Sequence, residues 1–278
     1  MTLVPDKLRV FNGSQFILPQ INQNNSSHLI LVTESKATSA SWLLQHYIKA
    51  GLSSSPHVSD SNDHRKIVLV SFLQDQHFHF NCLRKYGIDL TAKKSSFSFV
   101  DGISNFFSDG DNKANGLTTL YLRASRSSSW SEQLTNVLRD LSTDESKPLL
   151  IIEGIDVLIP LQVLSASDIL NFIFDLYKSS STIVVSMRHS PDLQNTFTQI
   201  GAQHGNLLSS LQRQSHAVIS LRPLITGAAE DVTGLIRIVR GGAAVQTPQF
   251  DVTVDEFHYF VGEGNLSGVK IFEKGRGH

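Results

Sequence analysis

Runs of large apolar residues without alternation recur along the chain, at 28–33, 66–72, 148–153 and 182–187. Uninterrupted runs of this kind describe strands buried on both faces, as parallel sheets require. Between them the spacing changes to that of one apolar helix face. Ala40, Leu43, Leu44, Tyr47 and Ile48 predict a helix that Gly51 stops as a left-handed cap. Phe78, Cys82, Leu83 and Tyr86 predict a second, closed by Gly87, and Trp130, Leu134, Val137, Leu138 and Leu141 a third. Ser165 and Asp168 make a capping pair for a fourth, which carries Ile169, Leu170, Phe172, Ile173, Leu176 and Tyr177. Residues 97–100 and, less clearly, 117–122 read as further strands.

Beyond residue 214 the pattern shifts. Short strands at 216–221, 235–239, 256–261 and 268–272 are joined by Gly-rich turns with no helix between them. Helix-alternating strands followed by hairpins predict an α/β fold with a mostly parallel central sheet and C-terminal antiparallel strands. That is the layout of a RecA-like three-layer core, and the chain reads as a single domain over 1–278. Residues 1–27 read as a turn-rich lead-in, 53–65 and 108–116 as flexible polar loops, and 188–214 as a long polar connection.

Composition narrows the function classes. With 278 residues, 40% hydrophobic and 18% charged, the chain can fill the core of one α/β domain. A formal net charge of −1 argues against strong nucleic-acid binding by this chain alone, since that affinity is built from phosphate neutralisation. One cysteine, Cys82, leaves no intramolecular disulfide and fits a reducing compartment. No window is apolar enough for a membrane span, and residues 1–6 lack the layout of a signal peptide. The cytoplasm is the expected location, with the nucleus as a second compartment.

Glu153 closes a buried strand, where open α/β sheets place their ligands. In a P-loop NTPase an acid there holds magnesium or polarises the attacking water. A working P-loop reads GxxxxGK[ST], its glycines letting amides approach the phosphates and its lysine neutralising their charge. The first strand–loop–helix unit instead offers residues 33–41, Thr-Glu-Ser-Lys-Ala-Thr-Ser-Ala-Ser, with no glycine. Lys36 sits early, Glu34 adds an acid where phosphates would come, and N-cap duty accounts for Thr38 or Ser39. Lys36, Ser39 and Glu153 therefore read as remnants of a lost nucleotide site, with no catalytic residue and no cofactor in this chain. The rival reading is an active nucleotide hydrolase that uses Lys36 and Glu153 around an unconventional phosphate loop. Asp156 reads as a cap for the following turn. His77 and His79 are two apart and point to different helix faces, no His or Cys pair has zinc spacing, and no GxSxG elbow occurs.

In a RecA-like ring the connection after the 182–187 strand faces the central channel. Arg188, His189, His204 and Arg213 are there as candidate contacts to a phosphate backbone, supplemented by neighbouring chains, or as ordinary loop polars. Arg237 and Arg240, beside Gly241-Gly242, are candidates to reach across an interface.

The stretch 222–242, with its Asp231-Val232-Thr233-Gly234 turn leading to Arg240-Gly241-Gly242, resembles the family of sixth subunits of the Elongator complex, its fungal members in particular. Residues 71–76, the Ile151-Ile152-Glu153 strand and the closing hairpin share the resemblance. It implies a RecA-like fold with a degenerate P-loop, assembled with the fourth and fifth Elongator subunits into a heterohexamer with two copies of each. It further implies that the ring binds tRNA, with Arg188, His189, His204 and Arg213 as possible contacts, hydrolyses ATP at its interfaces, and docks on the catalytic subcomplex of Elongator. The complex serves wobble-uridine modification in tRNA and has been linked to transcription elongation.

Overall fold

The computed structural model describes residues 2–3, 8–11, 17–19, 27–52, 65–93, 95–108, 118–142, 147–189, 197–225, 227, 229–246, 251–262 and 265–273. The polar stretches 53–64 and 109–117 lie outside the described residues.

The unalternating runs form the middle of one sheet. β1 (Thr2–Leu3) is followed by β2 (His28–Glu34), α1 (Ser41–Leu52), β3 (Ile67–Ser71), α2 (Gln76–Lys85), β4 (Phe97–Asp101) and β5 (Thr118–Tyr121). Then come α3 (Trp130–Leu141), β6 (Leu149–Glu153), α4 (Ala166–Tyr177), β7 (Thr182–Arg188) and α5 (Gln199–Gln214). β8 (Ala217–Arg222), β9 (Gly234–Arg240), α6 (Gly242–Gln246), β10 (Asp255–Gly262) and β11 (Asn265–Glu273) complete the chain. The strands lie in the order β1-β11-β10-β9-β8-β2-β7-β6-β3-β4-β5. Pairing is parallel from β8 through β5 and antiparallel from β8 through β1.

Successive residues of a strand point to opposite faces, so each buried strand feeds two cores. Ile30, Val32, Leu69, Ile151 and Val184 pack with Trp42, Leu43, Tyr47 and Leu83 of α1 and α2. Leu29, Leu31, Val68, Val70, Ile152 and Val185 pack with Trp130, Phe172, Ile173 and Leu207 of α3 to α5. The antiparallel extension is covered on one face, and β9 accordingly alternates: Ile236 and Ile238 are buried while Arg237 is exposed.

Four expectations change. Gly51 is not a left-handed cap but lies inside α1, where a Cβ would stand 2.8 Å from Ile67 Cδ1; the close approach of helix to strand is what it serves. Gly87, expected only to close its helix, is the one of the two with a left-handed φ, 76°. The lead-in is more than an approach to the sheet: β1 pairs with β11, and Leu8, Val10, Phe11, Ile17 and Leu18 are core residues. The connection 188–214 contains the sixteen-residue α5, whose His204, Leu207, Leu208 and Leu211 share one inward face. The short α6 also interrupts the run of hairpins.

Candidate functional site

The carboxyl ends of β2, β3, β6 and β7 bring the candidate residues together, and α1 sets the register. Ser41 is its first residue, and its hydroxyl donates to Glu153 Oε1 at 3.2 Å. A P-loop places its Ser or Thr at that helix start with a metal held between it and the acid. The GxxxxGK[ST] pattern therefore falls on Glu34 to Ser41. Its hydroxyl position is Ser41, rather than Thr38 or Ser39. Its lysine position is Ala40, and its two glycines are replaced by Glu34 and Ser39. Lys36 lies exposed in the loop. Ser39 Oγ accepts from the Ser41 amide at 3.2 Å, a capping role, and Thr38 Oγ1 accepts from the Ser35 amide at 2.9 Å.

Glu153 is 2% exposed and is enclosed by protein groups. Ser71, its register partner on β3, donates to Oε2 at 2.6 Å. His79 Nε2 of α2 stands 3.1 Å from the same oxygen. Gln45, one turn beyond Ser41 on α1, donates from Nε2 to His79 Nδ1 at 2.9 Å. With that nitrogen as acceptor, the imidazole carries its proton on Nε2, facing Glu153. Burial pushes the Glu153 carboxyl up, but His79, Ser71 and Ser41 outweigh it and hold the group below the usual carboxylate range. The result is an ionised, hydrogen-bonded carboxylate, suited to joining α1, α2, β3 and β6.

Glu34 occupies the other half of the site. Its Oε2 accepts the amide of Ala40 in the turn into α1, and Arg188 Nε at the end of β7 lies 3.9 Å from Oε1. Burial pushes this carboxyl up to about 7, against the Ala40 amide and Arg188; Glu153 and Asp156 add like-charge repulsion. Nearby, His204 Nε2 is 3.7 Å from Asp156 Oδ2, with both side chains buried.

Of the proposed channel contacts, Arg188 and Arg213 are exposed and His189 is half-buried. His204 is corrected: at 4% exposure it faces Asp156 beneath α5, because its place in the helix puts it on the leucine face. Arg237 is exposed on β9, and its register partner on β10 is Glu256. Arg240 is bound to Asp251 of its own chain. Gln45, Ser71 and Ser41 escaped the sequence reading, and His79 was weighed there only as a metal ligand. One signal was available: His79, Cys82 and Leu83 are spaced i, i+3 and i+4, and they are the buried residues of α2. Among the described residues, no three His, Cys, Asp or Glu side chains gather as a metal site, and no helix is long and apolar enough to cross a membrane.

The two ends of β2 titrate in opposite senses. His28 is held down to about 4, first by burial, then by His216 and Arg65. The unfolded chain takes up that proton near 6.5, so stability is lost as pH falls from about 6.5 to 4. Glu34, raised from 4.5 to about 7, resists ionisation in the fold. Its contribution is lost as pH rises from about 4.5 to 7. Each is of order ~3 kcal/mol. Urea titrations across this range should show Glu34→Gln gaining a steeper rise of stability with pH than the wild type, and His28→Gln a shallower one. Equal slopes in the two variants would contradict the assignment.

Comparison with known proteins adds a family. A family model described as "Elongation complex protein 6" matches residues 15–262. Elongator complex protein 6 of Saccharomyces cerevisiae is 24% identical over 267 residues, spanning 90% of this chain and 92% of the yeast protein. The Elongator complex protein 6 homolog of Schizosaccharomyces pombe is 26% identical over 200 residues, spanning 71% and 75%. Among solved structures, a KaiC-like protein of the hyperthermophilic archaeon Pyrococcus horikoshii OT3 superposes with a TM-score of 0.55 at 10% identity, covering 89% of this chain and 90% of that one. That likeness is one of fold, and it matches the parallel sheet with antiparallel extension.

Proposed function

The chain belongs to the Elongation complex protein 6 family, and from that premise we propose that it is a non-catalytic RecA-like subunit of an Elongator accessory ring. In this reading it assembles with the fourth and fifth Elongator subunits into a heterohexamer that docks on the catalytic subcomplex. The assembled ring binds and releases tRNA in support of wobble-uridine modification, the role also linked to transcription elongation. Its work is in the cytoplasm, with the nucleus as a second compartment. Any ATP belongs at interfaces between chains.

The observation that carries the non-catalytic part is the closure of the nucleotide position. Ala40 stands where a phosphate-binding lysine belongs, Glu34 takes the Ala40 amide, and Glu153 is engaged by Ser41, Ser71 and His79. The residues present do not fit a nucleotide with its metal. Arg188 and Arg213, both exposed, are the channel contacts that this reading retains.

Three measurements test it. The purified chain should turn over no ATP, and Lys36→Ala should leave the ATPase of the assembled ring unchanged. Loss of turnover in that variant would establish the rival hydrolase instead. Native mass of the chain co-expressed with its partners should correspond to six chains, and a monomer with ATPase activity would refute the assignment. For tRNA, Arg188→Ala and Arg213→Ala should weaken binding by the ring with a smaller salt dependence.

A further inference from the structure

In a P-loop core the turn into the first helix holds a phosphate, and here the amide of that turn is taken by a side chain of the same chain. We infer that the Glu34 carboxylate is a built-in substitute for a phosphoryl group, seated in the turn into α1, and that its presence as well as the missing lysine keeps phosphate compounds out. The inference rests on the non-catalytic reading and deepens it.

Glu34 is the first position of the P-loop pattern, where glycine ordinarily lets amides approach the phosphate. Here the carboxyl group turns back over the loop and accepts the Ala40 amide, so the acceptor oxygen that a phosphate would bring to the helix start is supplied from within the chain. A positive charge stands beside it on the neighbouring strand, with Arg188 Nε 3.9 Å from Oε1. Backbone ties the same two strand ends, the His189 amide donating to the Glu34 carbonyl at 2.6 Å. The metal side is closed as well, because the Ser41 hydroxyl goes directly to Glu153.

An entering phosphate would therefore meet the Glu34 side chain and would have to displace a hydrogen bond already made. The loop keeps a closed arrangement without a nucleotide. Its effect is a subunit whose surfaces do not change with the nucleotide state of the cell.

The test uses inorganic pyrophosphate as probe, with calorimetric titration and thermal shift on the full chain. Wild type and Ala40→Lys should show no saturable binding. Glu34→Gly/Ala40→Lys should bind at least about tenfold more tightly than Ala40→Lys, with a dose-dependent rise in Tm. Glu34→Ser/Ala40→Lys, which leaves a neutral hydroxyl at position 34, carries the same expectation should the glycine variant fail to fold. Equal affinity of Ala40→Lys and the folded double variant would mean the lysine alone decides, and would overturn the inference. Absence of binding by the folded double variant would also overturn it, while leaving the non-catalytic reading intact. Saturable binding by the wild type would instead remove the non-catalytic reading's main support.

Discussion

Glu153→Ala is expected to destabilise the protein by roughly 3–5 kcal/mol, because a buried hydrogen-bonded acid is removed and its partners are left behind. The Ser71 hydroxyl at 2.6 Å and the Ser41 hydroxyl at 3.2 Å would lose their acceptor, and the buried His79 Nε2, 3.1 Å away, its polar partner. Each buried donor left unsatisfied costs about 1–3 kcal/mol, and the sum is less than additive because the three share one site. Glu153→Gln keeps an acceptor oxygen in nearly the same volume and should cost about half as much. Urea denaturation of both variants gives the comparison. A catalytic acid behaves the other way: active-site acids sit in strained or destabilised surroundings, and removing one leaves stability equal or higher while activity falls. A Glu153→Ala chain as stable as the wild type would defeat the scaffold role given to this residue.

Gly241→Ala should cost roughly 3 kcal/mol, the upper range for forcing atoms into a packed site. A Cβ on Gly241 would lie 2.0 Å from the Ser215 carbonyl oxygen and 2.5 Å from its hydroxyl. That carbonyl is fixed backbone, since the Ser215 amide donates to Leu211 at 2.8 Å and its oxygen accepts from Ala243 at 3.1 Å. Gly242→Ala meets the Arg213 carbonyl oxygen at 2.2 Å and should behave alike. Gly205→Ala is the control. It lies within α5, where a Cβ would find nothing within 4 Å, so the same exchange should stabilise by about 0.5–1 kcal/mol through helix propensity. Thermal unfolding of the three variants reads this directly. A neutral Gly241→Ala would show that the glycine pair serves something other than close packing against the end of α5. The Arg240-Gly241-Gly242 sequence that carries the family resemblance thus has a physical content: it lets β9 turn into α6 against the backbone at 213–215.

The strands with unbroken apolar runs were legible because burial on both faces forces such a run, and α3 and α4 because their apolar stripes are regular. The capping box of Ser165 and Asp168 forms as its spacing implied. α5 was hidden: Gly201, Gly205, Gln203, Ser209 and Ser210 dilute its stripe, and its stability comes from packing Leu207, Leu208 and Leu211 on the sheet. His204 was misplaced for the same reason, since an unrecognised helix has no inner face. At the site, the absence of a lysine and of glycines was visible by inspection. The register that makes Ala40 the lysine position was not, because it depends on where α1 begins, and Ser41 is identified by its bond to a residue on β6.

By itself the sequence determined the class of fold, the two-faced burial of the central strands, the change to hairpins after residue 214 and the loss of the phosphate loop. These follow from local periodicity and composition. Only the tertiary structure decided which side chains enclose Glu153. Positions 41, 71 and 79 meet it, and 45 meets 79, because β6 lies between β3 and β7 while β2, which leads into α1, lies beyond β7. That order is set by how the helical crossovers pack across the sheet, and no local pattern records it.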